Sequence, residues 1–270
     1  MNEPKIITSL TNDRVKAIRA LDMRKVRKET GLFVAEGASL LVTARDHGFV
    51  PETLVYQTGT AATGIARGLV THALSAGAEV LEVSEAVLTK LSSKDNPQTL
   101  LGVFRQQFAP PPDLTSMSHS DTWLALEEIR DPGNLGTIIR TADAVGAAGV
   151  ILVGTTCDPY ALDAVRATMG SIFAVPIVKM DRPQFTEFAK RWPGDAIGTH
   201  LTARHDFRSE TYRGPQLIVM GGEGPGLSTA VAAVCSKLVK IPMAGNLDSL
   251  NLAVATALML YQVRGPQLKL

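Results

Sequence analysis

Short apolar runs alternate with stretches of helical spacing along the whole chain. Before residue 109, Val15, Ile18 and Leu21 recur at helical spacing behind Asn12, a candidate N-cap, and so predict a helix. Further helices are predicted over 38–47, 63–76 and 85–91, and strands over 32–35, 54–56, 80–83 and 100–104. Strands alternating with helices predict a small α/β layer.

The alternation is clearer after residue 120. Strands are predicted over 123–127, 150–153, 172–178, 196–199, 217–220 and 238–241, and helices over 135–145, 161–169, 184–191, 227–236 and 250–263. Parallel strands require crossover connections, which these helices supply. We therefore predict an α/β fold with a mostly parallel sheet and helices on both faces, in which ligands bind beyond the carboxyl ends of the strands.

A proline-rich segment separates the two parts. Three consecutive prolines, Pro110–Pro112, stop helix formation, and the Ser/Thr-rich remainder to Ser120 has no apolar period. The predicted division is a domain over 1–109, a linker over 110–120 and a second domain over 121–270.

Composition and charge narrow the class of protein. Of the 270 residues, 45% are hydrophobic and 20% charged, which excludes disorder over most of the chain. Two cysteines make neither a disulfide framework nor a zinc cluster, so we expect free thiols and no metal. We see neither a signal peptide nor an apolar run of about 18 residues, so we expect a soluble, cytoplasmic protein.

The net charge of +1 argues against a uniformly basic surface, but it hides an uneven distribution. The first 28 residues hold eight basic and three acidic side chains, a local charge of +5. A basic helix of this kind either grips phosphates without reading sequence or is only a solvated helix face.

Three loops that follow predicted strands carry candidate chemistry. In the first, residues 131–136, Asn134 either caps the following helix or faces a ligand, and Arg140 within that helix is either a solvated residue or an anion ligand. The second, residues 221–226, has four glycines in six residues, which permits close contact with a flat ligand or describes a merely mobile loop. The third, residues 241–251, holds Ser249, a good N-cap, and Asn251, which is less expected within a first helical turn.

Neither a Walker motif nor Gly-x-Gly-x-x-Gly is present, and the loops alone indicate only a small, nucleotide-like ligand. Taken together, they resemble the SpoU or TrmH-type branch of the SPOUT superfamily of RNA ribose 2′-O-methyltransferases. The matching segments are 134–142 (NLGTIIRTA), 220–228 (MGGEGPGLS), and 241–243 (IPM) through 249–255 (SLNLAVA), with 167–173 (ATMGSIF) between them. Residues 32–37 and 97–103 resemble the family's RNA-binding accessory domain, and this similarity is weaker.

The resemblance implies a fold and a cofactor that the patterns alone do not give. It implies a deep trefoil knot, a homodimer formed through the knot region, and S-adenosylmethionine as methyl donor. The implied cofactor residues are Thr199, His200, Gly221, Gly222, Ile241, Met243 and Leu250. Many family members carry Asn or Ala where this chain has Gly222, so any side-chain contribution there is lost.

The resemblance also assigns catalytic roles. Arg140 corresponds to the family's catalytic arginine, and Asn134, Ser249 and Asn251 would orient it and the ribose. A guanidinium is rarely deprotonated, so stabilising the developing alkoxide and gripping a phosphate suit Arg140 better than acting as a base. Glu223 would lie near the RNA or the cofactor, or be a plain surface carboxylate. The other implied RNA contacts are Arg14, Lys16, Arg24, Lys25, Arg27 and Lys28.

The substrate remains open between ribosomal RNA and tRNA. A separate accessory domain is more typical of the family's rRNA enzymes, which favours rRNA. Aromatic residues are only 5% of the chain, so we expect structured RNA to be read by shape rather than by base stacking. Two alternatives are a catalytically idle RNA-binding protein on the same fold, and an unrelated α/β enzyme that uses a dinucleotide or phosphate.

Overall fold

A mixed five-stranded sheet and a parallel seven-stranded sheet organise the chain. The computed structural model describes residues 3–92, 98–246 and 249–269, so Pro97, Leu247 and Asp248 of the segments singled out above lie outside the described residues. The chain divides into two compact units. Unit 1 contains the residues up to Gln106 together with Asp158–Ala174, and unit 2 contains Gln107–Cys157 and the residues from Val175 onward.

The first sheet has the order β1-β4-β3-β5-β2, in which β5 runs antiparallel to both of its neighbours. Its elements are β1 (Lys5–Ile7), α1 (Asp13–Ala20), α2 (Arg24–Thr30), β2 (Leu32–Glu36), α3 (Ala38–Asp46), β3 (Thr53–Gln57), α4 (Gly64–Ser75), β4 (Glu79–Val83), α5 (Glu85–Leu91) and β5 (Leu100–Arg105). Asn12 caps α1 as predicted, and Val15 and Ile18 are buried. The apolar pattern missed β1, which has three residues, and α2, whose seven residues include five that are charged.

The second sheet has the order β10-β12-β9-β11-β6-β7-β8, and every strand pair in it is parallel. The elements are β6 (Thr122–Glu127), α6 (Pro132–Ala144), β7 (Gly149–Val153), α7 (Leu162–Ala167), β8 (Ile177–Met180), α8 (Arg182–Lys190), β9 (Ala196–Thr199), β10 (His205–Asp206), β11 (Gln216–Met220), α9 (Thr229–Ala232), β12 (Lys237–Lys240) and α10 (Leu252–Arg264). The prediction of an α/β fold with a parallel sheet and helices is confirmed, whereas the trefoil knot stays a prediction.

Two predicted elements differ from the structure. Over 172–178 we predicted one strand, but Ser171–Phe173 form a 3-10 turn and β8 begins only at Ile177. Pro176 precedes β8, and a proline cannot donate to a sheet ladder, so the strand begins after it. The helix predicted over 227–236 is reduced to the four residues of α9, which Ser228 caps.

The segment Asp158–Ala174 completes the core of unit 1 although it lies between two strands of the second sheet in the sequence. The ring of Tyr160 lies 4.6 Å from that of Phe33, centroid to centroid, and Phe173 packs edge-on against Phe104 at 4.9 Å. The sequence-based division had placed this segment in the second domain. It also placed 110–120 in a linker, but Leu114 and Met117 pack against the hydrophobic core of unit 2.

Two ion pairs fix the same segment within unit 1. Arg27 binds Asp158 at 2.9 Å, and Arg166 binds Glu36 at 2.7 Å. Burial alone would raise the pKa of Glu36, but hydrogen bonds from Ser92, Arg166 and the Gln98 amide outweigh it and lower that pKa. Losing one partner of such a buried pair is costly, because it leaves an uncompensated charge.

None of the helices in the three described ranges is long and apolar enough to cross a bilayer.

Candidate active site

Unit 2 contains a cavity of about 600 Å³ at the carboxyl ends of three parallel strands. Thr199 ends β9, Met220 ends β11 and Lys240 ends β12, and all three line the cavity. Its volume lies in the range of small-molecule sites. The sequence-based expectation that ligands bind beyond these strand ends therefore leads to an edge of the sheet that has a cavity.

The structure brings most of the predicted site residues together in this cavity. All seven predicted cofactor residues line it: Thr199, His200, Gly221, Gly222, Ile241, Met243 and Leu250. So do Asn134, Ser249, Asn251 and Glu223. Arg140 and the basic N-terminal residues do not line it.

The glycine-rich loop of residues 221–226 folds back on itself. Gly226 donates its amide to the Gly222 carbonyl at 3.2 Å, and a Cβ added to Gly221 would overlap the backbone of Gly226. Gly224 and Gly226 have φ values of 97° and 70°, which favour glycine. A Cβ at Gly222 would lie 2.9 Å from the Glu128 carbonyl oxygen. Close contact with neighbouring backbone, or a positive φ, therefore explains why glycine occupies these four positions.

A chain of hydrogen bonds joins one residue from each of the three loops. The Asn251 side-chain amide donates to Asn134 Oδ1 at 2.9 Å, and Asn134 Nδ2 donates to Glu223 Oε1 at 2.9 Å. The backbone amide of Arg130 donates to the second carboxylate oxygen, Glu223 Oε2, at 3.3 Å. Both asparagine amides are thereby oriented, and each keeps one N–H to offer a ligand.

The helix caps differ from those that the sequence suggested. Asp131 caps α6 by accepting the Asn134 amide at 2.6 Å, so the Asn134 side chain is left to face the cavity. Ser249 does not cap the last helix, because α10 begins at Leu252, two residues later than predicted. Its cap is Asn251, whose Oδ1 accepts the amides of Ala253 and Val254 at 2.9 and 3.2 Å. Asn251 therefore holds both the helix and Asn134.

Behind the glycine-rich loop lies a charge cluster that the sequence analysis missed, in which Glu127 is buried and Glu128 and Arg182 are half-buried. Glu127, at the end of β6, accepts both the amide and the hydroxyl of Ser228 and is paired with Arg182 at 2.7 Å. Arg182 also binds Glu128, a non-glycine residue with a φ of 52°. The cluster fixes the point where the loop re-enters the fold. Two adjacent glutamates at the end of an apolar strand were the signal for it.

Arg140 lies on the exposed side of α6, outside the cavity. Six residues separate it from Asn134, about 9 Å along the helix at 1.5 Å per residue. Among the residues that the structure describes, none forms a hydrogen bond or ion pair with its guanidinium. Its donors are thus available to a ligand that extends beyond the cavity.

The basic residues of unit 1 are not equivalent. Arg24, Lys25 and Lys28 on α2 are exposed, and so are Arg14 and Lys16 on α1, which pair with Glu79 and Asp13. Arg27 is different. Only 4% of it is exposed, and it binds Asp158 and the carbonyls of Leu21 and Asp22. This structural role removes Arg27 from the predicted RNA surface.

Neither Cys157 nor Cys235 forms a disulfide within the described residues. Burial, with a smaller contribution from Glu127, raises the pKa of Cys235 to about 12, so its thiol stays protonated and unreactive at neutral pH.

The model of the SpoU rRNA methylase family matches residues 121–261, which is more than half of the chain. The chain belongs to this family. The model of the MRM3-like substrate binding domain matches residues 12–102. The SpoU family and its accessory domain thus account for both parts of the sequence, and the family resemblance is confirmed.

Several relatives of the SpoU family cover nearly the whole chain. An S-adenosylmethionine-bound rRNA methyltransferase from Sinorhizobium meliloti is 42% identical, with a TM-score of 0.91, over 99% of this chain and 100% of that one. A 23S rRNA (guanosine(2553)-2′-O)-methyltransferase of Bacillus subtilis is 29% identical over 97% of this chain and 100% of its own. A 23S rRNA (uridine(2479)-2′-O)-methyltransferase of Streptomyces viridochromogenes is 32% identical over 90% of this chain and 85% of its own.

Proposed function

We propose that this protein transfers a methyl group from S-adenosylmethionine to the 2′-hydroxyl of a ribose in ribosomal RNA. Membership of the SpoU family and the activities of its full-length relatives support the reaction class and the cofactor. The observation that carries the proposal is the chain Asn251–Asn134–Glu223 at the edge of a nucleoside-sized cavity, since mere RNA binding needs no such arrangement.

The residues of the cavity fit the cofactor. Ile241, Leu250 and Met243 supply apolar walls, and the glycine-rich loop exposes backbone where a flat purine needs close approach. Thr199 and His200 add polar groups to the cavity wall. S-adenosylmethionine, when bound, supplies a methyl group on a sulfonium, which is already a good leaving group.

The protein's main task is then to position the ribose. Asn134 and Asn251 each offer an oriented N–H, and Ser249 lies beside them in the cavity wall. Holding the nucleophile in line is worth about 7–11 kcal/mol of the barrier in well-oriented systems. Arg140 stabilises the developing alkoxide and grips the adjacent phosphate.

Ribosomal RNA is the proposed substrate class rather than tRNA. The relatives named as 23S rRNA enzymes cover unit 1 as well as unit 2, and a substrate-binding domain matches most of unit 1. The exposed basic side chains of α1 and α2 are the proposed phosphate contacts: Arg14, Lys16, Arg24, Lys25 and Lys28.

A variant in which alanine replaces Arg24, Lys25 and Lys28 should bind RNA more weakly. Its affinity should also depend less steeply on salt concentration. Each lost phosphate contact lowers the slope of log affinity against log salt by about 0.7–0.9, so three should lower it by about two. Titration of labelled rRNA fragments at several salt concentrations measures this slope. The matched control replaces the exposed Arg67, Lys90 and Arg105 of the same unit, and an equal loss there would refute the proposed surface.

We further propose that the protein is a homodimer through α10. Val254, Leu258 and Tyr261 are 50%, 41% and 52% exposed, and their spacing places them on one face of the helix. Leu258→Glu should therefore convert a dimer to a monomer in sedimentation or light scattering. The wild-type protein sedimenting as a monomer would contradict the proposal.

A cytoplasmic location also stays a prediction.

Two measurements test the proposed function. Calorimetry should show binding of S-adenosylmethionine and none of NAD, and failure to bind S-adenosylmethionine would rule the reaction out. Mapping of ribose methylation in total RNA should then find one site lost in cells that lack the gene. A site in tRNA would correct the substrate class, and no lost site would favour the idle RNA-binding protein.

A further inference from the structure

The proposed reaction needs a group that takes the proton of the ribose 2′-hydroxyl, and Arg140 is unsuited to that role. A guanidinium is a donor with no free acceptor site, and it is rarely deprotonated. The proton acceptor must therefore be another side chain, and the residues that line the cavity are the candidates.

We propose that Glu223 is the general base of methyl transfer, which rests on the proposed function. Among the described residues that line the cavity, Glu223 is the one carboxylate. It is exposed, so a ribose entering the cavity can reach it. Asn134 Nδ2 and the Arg130 amide each donate to one carboxylate oxygen, and two of the approximately four lone-pair sites stay open.

The hydrogen bonds of Glu223 also fix the orientation of its carboxylate. They fix the carboxylate next to Asn134, whose remaining N–H is available to the same ribose. The chain Asn251–Asn134–Glu223 therefore places a donor and an acceptor side by side. A 2′-hydroxyl needs both, because its oxygen accepts one hydrogen bond while its proton is removed.

His200 is the other titratable side chain with an acceptor in the described cavity wall, and its hydrogen bonds argue against it. The backbone amide of Thr202 donates to His200 Nδ1 at 3.3 Å. A backbone amide only donates, so Nδ1 is the acceptor and the neutral ring carries its hydrogen on Nε2. The ring then has no open acceptor for a second proton.

In the proposed step the ribose O2′–H bond breaks and its proton passes to a carboxylate oxygen of Glu223. The electron pair of O2′ forms the new bond to the methyl carbon, and the carbon–sulfur bond breaks with its electrons going to sulfur. Glu223 ends neutral and returns its proton to solvent. No oxidant, reductant or further reactant is needed.

Glu223→Gln tests this role, because the amide keeps the size and one acceptor oxygen but takes up no proton. We expect the single-turnover rate of methyl transfer to fall about 100-fold, which is within the usual contribution of a general base. The acceptor is RNA and ribosomal subunits from cells that lack the gene, with radiolabelled S-adenosylmethionine. Affinity for S-adenosylmethionine should stay within about threefold of the wild type.

Two further variants separate proton transfer from positioning. Glu223→Asp keeps a carboxylate and should be faster than Glu223→Gln, and added formate should accelerate Glu223→Ala. The control Glu187→Gln changes an exposed carboxylate on α8 and should leave the rate unchanged.

The outcomes are distinct. A Glu223→Gln rate within tenfold of the wild type, or Glu223→Asp as slow as Glu223→Gln with no rescue by formate, would overturn the base assignment. A wild-type protein that neither binds S-adenosylmethionine nor methylates any RNA would instead overturn the proposed function.

Discussion

Replacing Arg140 with alanine should lower methyl transfer by a factor of about 10²–10³ or more while S-adenosylmethionine still binds. Removing a single preorganised donor that stabilises a developing oxyanion has a cost of this size. Binding should survive because Arg140 lies on the exposed side of α6, outside the cavity that the cofactor residues line. Calorimetry should give an affinity within about threefold of the wild type, and single-turnover kinetics should give the loss.

Two variants make the Arg140 result specific. Arg140→Lys keeps the charge but cannot bind a phosphate in a bidentate manner, so its rate should lie between those of the wild type and Arg140→Ala. Arg191→Ala removes another exposed arginine of unit 2 and should leave the rate unchanged. Wild-type turnover in Arg140→Ala would show that the resemblance had led to the wrong arginine.

Replacing Gly221 with alanine should lower the affinity for S-adenosylmethionine by about 10- to 100-fold. The added methyl would overlap the carbonyl carbon of Gly226 and the amide nitrogen of Leu227, and neither belongs to a side chain that could rotate away. The loop has to open, which displaces the backbone that lines the cavity. Overpacking of this kind costs about 1–3 kcal/mol, so the melting temperature should fall as well.

Gly245→Ala is the matched control for Gly221. Among the described residues, no heavy atom outside its chain neighbours lies within 4 Å of a Cβ at Gly245, and its φ is not positive. Its affinity for S-adenosylmethionine should stay within about twofold of the wild type. If Gly221→Ala bound the cofactor as tightly as this control, the close contact within the loop would have no bearing on the cavity.

The sequence predicted most of what depends on local pattern. Apolar runs located β6, β7, β9 and β11 to within a residue, because a strand of a parallel sheet is buried on both faces and reads as a continuous apolar run. The loops after these strands led to the cavity, and the family motifs brought eleven named residues to its wall. Each of these inferences needs only neighbours in the sequence.

What the sequence could not predict depends on contacts between distant residues. Nothing in the basic run of residues 1–28 distinguishes Arg27 from Lys25 or Lys28, and the carboxylate that pairs with its buried charge lies 131 positions away. Likewise, Asn251 rather than Ser249 caps α10, and its side-chain amide binds Asn134, which lies 117 positions away. The charge cluster of Glu127 and Arg182 joins residues 55 positions apart.

The packing of Asp158–Ala174 into unit 1 also constrains the order of events during synthesis. Tyr160 and Phe173 fill the core around Phe33 and Phe104, so the amino-terminal unit lacks part of its interior until residue 174 has left the ribosome. By then β6 and β7 of the next sheet have already been made. The unit that is translated first therefore cannot complete its core before part of the second unit has been made, and a nascent chain stopped at the prolines would hold an incomplete core.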